Sequence, residues 1–192
     1  MNNRLLIGSL STLALCAGLA LAAEETPNPN VAEAKDIIKE FATRLQGELA
    51  TAIKGNGPVE AINVCYDRAP AIAEDLSAQT GWEVGRTSLK ARNVADNSPD
   101  DWETMVLKRF DERQADGEDV KTMAYAEVVE GKDGKRFRFM KAIPTSEICL
   151  ACHGQEIAPE VVEALDAAYP DDQARGYSVG EVRGAFTLSK PL

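Results

Sequence analysis

Between residues 31 and 53 apolar side chains return every three or four positions. Ala34, Ile37, Ile38, Phe41, Leu45 and Leu49 share one face, the period of an amphipathic helix. Asn30 suits the N-cap, and Gly55-Asn56-Gly57 breaks the run. A second helix is predicted over residues 58–77, with Pro58 at a first helical position and Ile62, Cys65, Ala69 and Ile72 on one face. Pro70 lies inside it. A proline there removes a backbone donor and should kink the helix a turn after Cys65. Gly81 closes the element.

The period then changes from helical spacing to two. Over residues 82–93, Arg86, Ser88, Lys90 and Arg92 alternate with Thr87, Leu89, Ala91 and Asn93. A strand here would carry Arg86, Lys90 and Arg92 on a single face. Asn97-Ser98-Pro99-Asp100-Asp101 reads as a turn into a third helix over residues 102–114. Residues 121–130 and 135–143 read as a hairpin around Gly131-Lys132-Asp133-Gly134. A short helix over 160–169 and a strand over 184–189 complete the chain. No internal repeat, low-complexity tract or linker interrupts it. Helices first, then an antiparallel sheet interrupted by helices, define an α+β domain.

The first 22 residues follow another pattern. Arg4 gives a small positive region, residues 5–21 are almost free of charge, and Ala20-Leu21-Ala22 fits a cleavage site. This is the layout of a secretory signal peptide, leaving residues 23–192 as one mature domain in the periplasm. An uncleaved anchor is the rival, but the apolar stretch falls short of a full span. Lipidation at Cys16 is disfavoured by the bulk of Leu15 in the preceding Leu13-Ala14-Leu15. No stable membrane insertion is expected. About 170 residues remain, enough for one genuine core.

The formal charge is −10, and it becomes −11 once Arg4 is removed. An acidic chain argues against nucleic acid or an anionic membrane as partner. It is compatible with a redox partner that has a basic docking face. After Cys16 leaves, Cys65, Cys149 and Cys152 remain, an odd number in an oxidising compartment.

Cys149-Leu150-Ala151-Cys152-His153 matches C-x-x-C-H, the c-type haem attachment pattern. Two thiols add across the two haem vinyl groups, the intervening pair lets both sulfurs reach one porphyrin edge, and the next residue sets an imidazole beneath the iron. A redox disulfide is a weaker reading, because thioredoxin-type motifs usually open a helix after an early strand. A zinc site of Cys65, Cys149, Cys152 and His153 is chemically conceivable. His153 is the only histidine in the chain, which favours a dedicated role. It also rules out a second imidazole on the iron. Met105, Met123, Met140, Cys65, a lysine or no protein group are the remaining candidates for the sixth position. The thiol left over, Cys65, is either a small buried hydrophobe or a ligand.

Several stretches carry a resemblance. These are Ala61-Ile62-Asn63-Val64-Cys65; residues 85–93; Asn97-Ser98-Pro99-Asp100-Asp101-Trp102-Glu103; Cys149-Leu150-Ala151-Cys152-His153-Gly154; and Tyr169-Pro170-Asp171-Asp172-Gln173-Ala174-Arg175-Gly176-Tyr177 through Gly184. In that order they resemble the bacterial and cyanobacterial monohaem c-type cytochromes with a PAS-like fold. The resemblance spans nearly all of the mature chain, with Ala91 and Val94 replacing residues more often larger or a proline. It implies one covalent haem c in an antiparallel sheet flanked by helices. It also implies His/Cys ligation, with His153 and Cys65 on opposite sides of the iron. On that basis the cations Arg86, Lys90 and Arg92 would offset buried propionates, or else pair with local carboxylates on a solvated face. Trp102, Tyr169 and Tyr177 either pack on the porphyrin or fill the core.

A thiolate ligand stabilises ferric iron, so a low potential is expected. The main expectation is electron transfer with an unidentified redox partner. The runner-up is a redox or gas sensor, in which the thiolate lets go on reduction and opens a site for CO or NO. A sensor would need a separate partner to receive the signal, because the chain has no kinase, methyl-accepting or DNA-binding segment. Catalysis ranks last, since no distal acid–base set is visible, and the chain is not expected to be an enzyme.

Overall fold

The computed structural model describes residues 28–192, so the expected signal segment lies outside the described residues. Helix α1 spans Pro29–Asn63. Asn28, rather than Asn30, is its cap, with the Asn28 Oδ1 accepting from the Asn30 N–H at 3.0 Å. Pro29 then opens the helix, where a missing N–H costs nothing. The expected break falls at Gly57, whose φ of 84° and ψ of −177° are non-helical, and Pro58 restarts the coil. A positive φ of this kind is open to glycine at little cost.

The kink expected from Pro70 takes the form of a π-turn over Val64–Arg68, followed by α2 over Ala69–Thr80. The Ala69 N–H reaches back five residues to the Val64 carbonyl. A proline ring crowds the carbonyl four residues before it, which here is Tyr66, and one widened turn relieves that clash. Cys65 rides on this turn.

The sheet has four antiparallel strands in the order β1-β4-β3-β2: β1 Glu83–Thr87, β2 Ala124–Gly131, β3 Gly134–Pro144 and β4 Val182–Pro191. Between β1 and β2 lie α3, Val94–Asn97, and α4, Asp101–Ala115. Between β3 and β4 lie α5, Leu150–His153, and α6, Pro159–Ala168. The β2–β3 hairpin closes where Gly131 pairs with Gly134.

Each sheet face has its own core. On one face Ala34, Ile37, Ile38 and Phe41 of α1 and Ile72 and Leu76 of α2 bury Trp82, Phe137, Phe139 and Leu188. On the other, Val106, Leu107 and Phe110 of α4 pack on Met123, Met140, Ala142 and Ala185. The alternation along β3 that separates Phe137 and Phe139 from Met140 and Ala142 is the period-two pleat. A third cluster joins Ile62 at the end of α1 to Val161, Leu165 and Tyr169, with Cys152 packed against it. This cluster brings the Cys65 turn and the C-x-x-C-H helix to the same end of the molecule.

The strand expected over residues 82–93 stops at Thr87. The Ser88 N–H turns away to the Asn97 carbonyl at 3.2 Å, and the Ser88 hydroxyl caps the Lys90 N–H at 3.2 Å. Arg86, Lys90 and Arg92 therefore do not share a strand face. The alternation of the sequence is real, but side-chain and loop hydrogen bonds outcompete the ladder after five residues.

Candidate functional site

The C-x-x-C-H segment is a short 3₁₀ turn, Glu147–Cys149, running into α5. The Ser146 hydroxyl lies 3.1 Å from the Cys149 sulfur. Gly154 ends the turn, its N–H bonded to the Leu150 carbonyl at 3.0 Å. A Cβ at Gly154 would stand 2.6 Å from that carbonyl oxygen, so only glycine permits the closure. The returning chain after α6 then pairs with the motif. Gly176 N–H donates to the Gly154 carbonyl and Tyr177 N–H to the His153 carbonyl, both at 2.9 Å.

Arg92 clamps this junction. Its guanidinium donates to the carbonyls of Cys152 and Ala174 and lies 3.2 Å from Asp172 Oδ1. Asp172 in turn accepts from the Ala174 N–H at 2.9 Å and from Arg175 at 2.8 Å. Burial pushes the Asp172 carboxyl up, but the Ala174 N–H, Arg175 and Arg92 together outweigh it and hold the group below its ordinary value. A carboxylate satisfied by several donors stays ionised.

His153 is held by the same loop. Its Nδ1 lies 2.7 Å from the Ala174 carbonyl oxygen. That oxygen can only accept, so Nδ1 carries the proton and Nε2 keeps a free lone pair. This is the tautomer a metal-binding imidazole needs, with the second nitrogen fixed by a backbone carbonyl. Burial, followed by the charges of Arg183 and Arg92, pushes the His153 pKa down to about 2. The ring therefore stays neutral at any ordinary pH. Tyr177 meets it edge-on, ring centres 6.4 Å apart.

Cys65 stands close enough to Cys152, Arg86 and Tyr169 to act electrostatically on all three. Burial raises the Cys152 thiol, Arg92 opposes this, and Cys65 adds to it. Burial and then Cys65 push the Tyr169 hydroxyl up to about 12. Tyr66, half-exposed beside Cys65, rests on Tyr169 with ring centres 5.5 Å apart. Arg86 lies over the Phe41 ring at 5.6 Å. Burial, opposed by Cys65 and Tyr169, lowers its pKa. Arg86 forms no ion pair with any described carboxylate.

The structure thus gathers Cys149, Cys152, His153, Cys65, Arg86 and Arg92 at one end, but not Lys90. The Lys90 ammonium sits over the Tyr177 ring at 5.2 Å. It faces a cleft of about 340 Å³ shared with Asp111 and Gln114. Met123 and Met140 are fully buried among Val106, Leu107 and Phe110, and Met105 is exposed on α4. All three methionines serve the opposite sheet face. Trp102 is also remote from the cysteines: its ring carries Arg138 at 4.2 Å and its N–H donates to Glu127 at 2.8 Å. Tyr169 and Tyr177, by contrast, are buried at the site itself.

Two groups at the site had no sequence signal that marked them. Asp172 lies 80 residues from Arg92, and nothing in its surroundings predicts the pair. Arg183 is 30 residues from His153, and its role depends on how β4 enters the sheet. Cys65, Cys149 and Cys152 are unpaired thiols among the described residues. Among the described residues no three His, Cys, Asp or Glu side chains converge on a common metal position.

The fold and site define an α+β domain with a four-stranded antiparallel sheet flanked by helices and one neutral imidazole beside paired thiols. A sequence model of the Tll0287-like family matches residues 24–191, and the chain belongs to that family. Among solved structures, the cyanobacterial haem-protein Tll0287 superposes with a TM-score of 0.65 at 20% identity, covering 86% of this chain and 97% of that one. The shared fold is therefore shown across almost the whole domain. A search of curated proteins matched none.

Proposed function

We propose that this chain is an exported monohaem c-type cytochrome that transfers electrons at low potential. The observation that carries the proposal is the state of His153: a half-buried neutral imidazole with Nδ1–H spent on Ala174 and Nε2 free, one residue after two free thiols in C-x-x-C spacing. The donor set fits haem c. Cys149 and Cys152 would form the thioethers, His153 one iron ligand and Cys65 the other. Arg86, a cation without a carboxylate partner, suits a propionate, whereas Arg92 is committed to Asp172 and two carbonyls. Membership of a family that includes a haem-protein supports the same reading.

When bound, haem c supplies one-electron redox chemistry whose potential follows its axial ligands and burial. The protein's own part is to fix the imidazole through Ala174, to lock the Cys152 backbone through Arg92, and to present Cys65 on the π-turn. The proposal includes no enzymatic step, because no second histidine exists in the chain to serve as a distal acid or base.

The test is an absorption spectrum of the exported protein, ferric and then dithionite-reduced, with a pyridine haemochrome. Covalent haem with thiolate-type ferric bands supports the ligand set. A methionine-type ferric band rejects Cys65, and absence of a Soret band after maturation with the haem-attachment machinery rejects the cytochrome. A spectrum that changes on adding CO to the reduced protein moves the role from electron transfer to gas sensing.

A further inference from the structure

Arg183 stands at the imidazole, and nothing in the attachment motif calls for it. It enters from the first turn of β4, with its Nε 3.1 Å from His153 Nδ1. Because Nδ1 already carries a proton directed at Ala174, Arg183 acts there as a fixed cation and not as a second hydrogen-bond donor. Its reach is set by a compact lock. Its Nη1 donates to the Ser88 hydroxyl oxygen at 3.2 Å, and its guanidinium lies over the Tyr177 ring at 5.3 Å. The Ser88 hydroxyl also lies 2.9 Å from the carbonyl of Arg183 itself. Ser88 is 5% exposed, so this hub sits in the interior.

The backbone is built for that lock. Gly184, the next residue, has a φ of 153°, and a Cβ there would stand 2.5 Å from the Thr87 carbonyl oxygen and 3.0 Å from Ser88 Cβ. Only glycine lets β4 approach the end of β1 this closely. The approach is what brings Arg183 and Ser88 together. The Tyr177 ring has Lys90 over it at 5.2 Å as well, so two cations hold a tyrosine that itself meets His153.

We propose that Arg183 is a positioning and tuning residue for His153, setting the reduction potential of the centre by holding a permanent positive charge against the axial imidazole. The inference rests on the haem-c reading above. A bond from Nδ1–H to a carbonyl makes an imidazole more electron-donating, which favours ferric iron. A cation at the same nitrogen opposes that donation and penalises the extra positive charge of the ferric state. Arg183 and His153 are both partly buried, so this charge is screened less than one on the open surface. Arg183 therefore raises the potential against the downward pull of the thiolate.

The experiment is a spectroscopic redox titration of the haem-loaded native protein, Arg183→Gln and Arg183→Lys. Covalent haem content is checked in each by pyridine haemochrome. Arg183→Gln is expected to raise the ferric-to-ferrous ratio at a fixed ambient potential about tenfold, a midpoint about 59 mV lower for one electron. Arg183→Lys keeps the charge and should restore most of the native ratio. A ratio in Arg183→Gln indistinguishable from native overturns the proposal, as does an Arg183→Lys shift as large as that of Gln. If Arg183→Gln does not retain haem, Ser88→Ala takes its place. It keeps every charge while releasing the anchor, and should shift the ratio in the same direction by a smaller factor; no shift overturns the proposal. Native protein without covalent haem would defeat the cytochrome reading itself, whereas native haem with an unresponsive Arg183→Gln defeats only the role of Arg183.

Discussion

Arg92 and Asp172 pair at 3.2 Å in the interior, their side chains 9% and 2% exposed, and between them they fasten the Cys152 carbonyl to the loop that holds His153. The pair belongs to neither the attachment motif nor the sheet. It ties the motif to the loop that follows α6.

Removing one member should leave the other charge buried without its counterion. Asp172→Asn is expected to cost about 3–5 kcal/mol and to reduce haem retention, measured by urea unfolding and haemochrome yield.

The same pair gives a pH dependence of defined sign. The folded-state pKa of Asp172 lies below its ordinary 3.8, since the Ala174, Arg175 and Arg92 donors outweigh burial. The stability it contributes is therefore fully present above the unfolded-state pKa and is lost as pH falls through the folded-state value. Unfolding free energy of the native protein should fall with acidification below about pH 4. In Asp172→Asn that part of the slope should be missing, read by urea titrations at stepped pH.

On the haem-c proposal, Cys65→Ala should retain covalent haem, because attachment would rest on Cys149 and Cys152. It should change the ferric spectrum and raise the potential, since a strongly donating ligand is lost. Identical spectra in both oxidation states would remove Cys65 from the iron. Cys149→Ala and Cys152→Ala should each leave haem held by one thioether or lost; normal haem stain in both would sink the attachment.

Gly184→Ala should strain β4 where it closes on the Thr87 carbonyl. Positive φ and the 2.5 Å approach together should cost about 2–3 kcal/mol, a fall in melting temperature of roughly 5–10 °C. Because the same close approach positions Arg183, the haem spectrum should shift too.

Asp100→Ala is the contrasting case. Asp100 caps α4, its Oδ1 accepting from the Glu103 N–H at 2.8 Å while Glu103 reaches back to the Asp100 N–H at 3.0 Å. Losing the cap should cost about 1–2 kcal/mol. Asp100 and Glu103 bond to each other, to Arg138 and to Thr187, and to none of Cys65, Cys149, Cys152, His153 or Arg183, so the haem spectrum should stay unchanged.

Local patterns alone determined a good part of this protein. Helical spacing marked α1, glycines marked its break, the turn at Asn97-Ser98-Pro99-Asp100-Asp101 marked the start of α4, and Gly131-Lys132-Asp133-Gly134 marked the hairpin. Chain-local chemistry marked Cys149, Cys152 and His153, because the thiols and the imidazole act as a unit within five residues. Pro70 announced a distortion beside Cys65, though not that it would be a π-turn. Only the tertiary structure decided the rest. The alternation through Arg86, Lys90 and Arg92 promised one cationic face. Hydrogen bonds from Asn97 and Ser88 ended the strand at Thr87 and sent the three side chains to three different tasks. The groups that fix the imidazole, Ala174 and Arg183, and the clamp Arg92–Asp172 come from segments far apart in sequence. Periodicity reports which face of an element is buried, but not which buried faces meet. That meeting is set by the packing of Ile62, Val161, Leu165 and Tyr169 against Cys152 and by the glycine-permitted close approach of β4 to the end of β1.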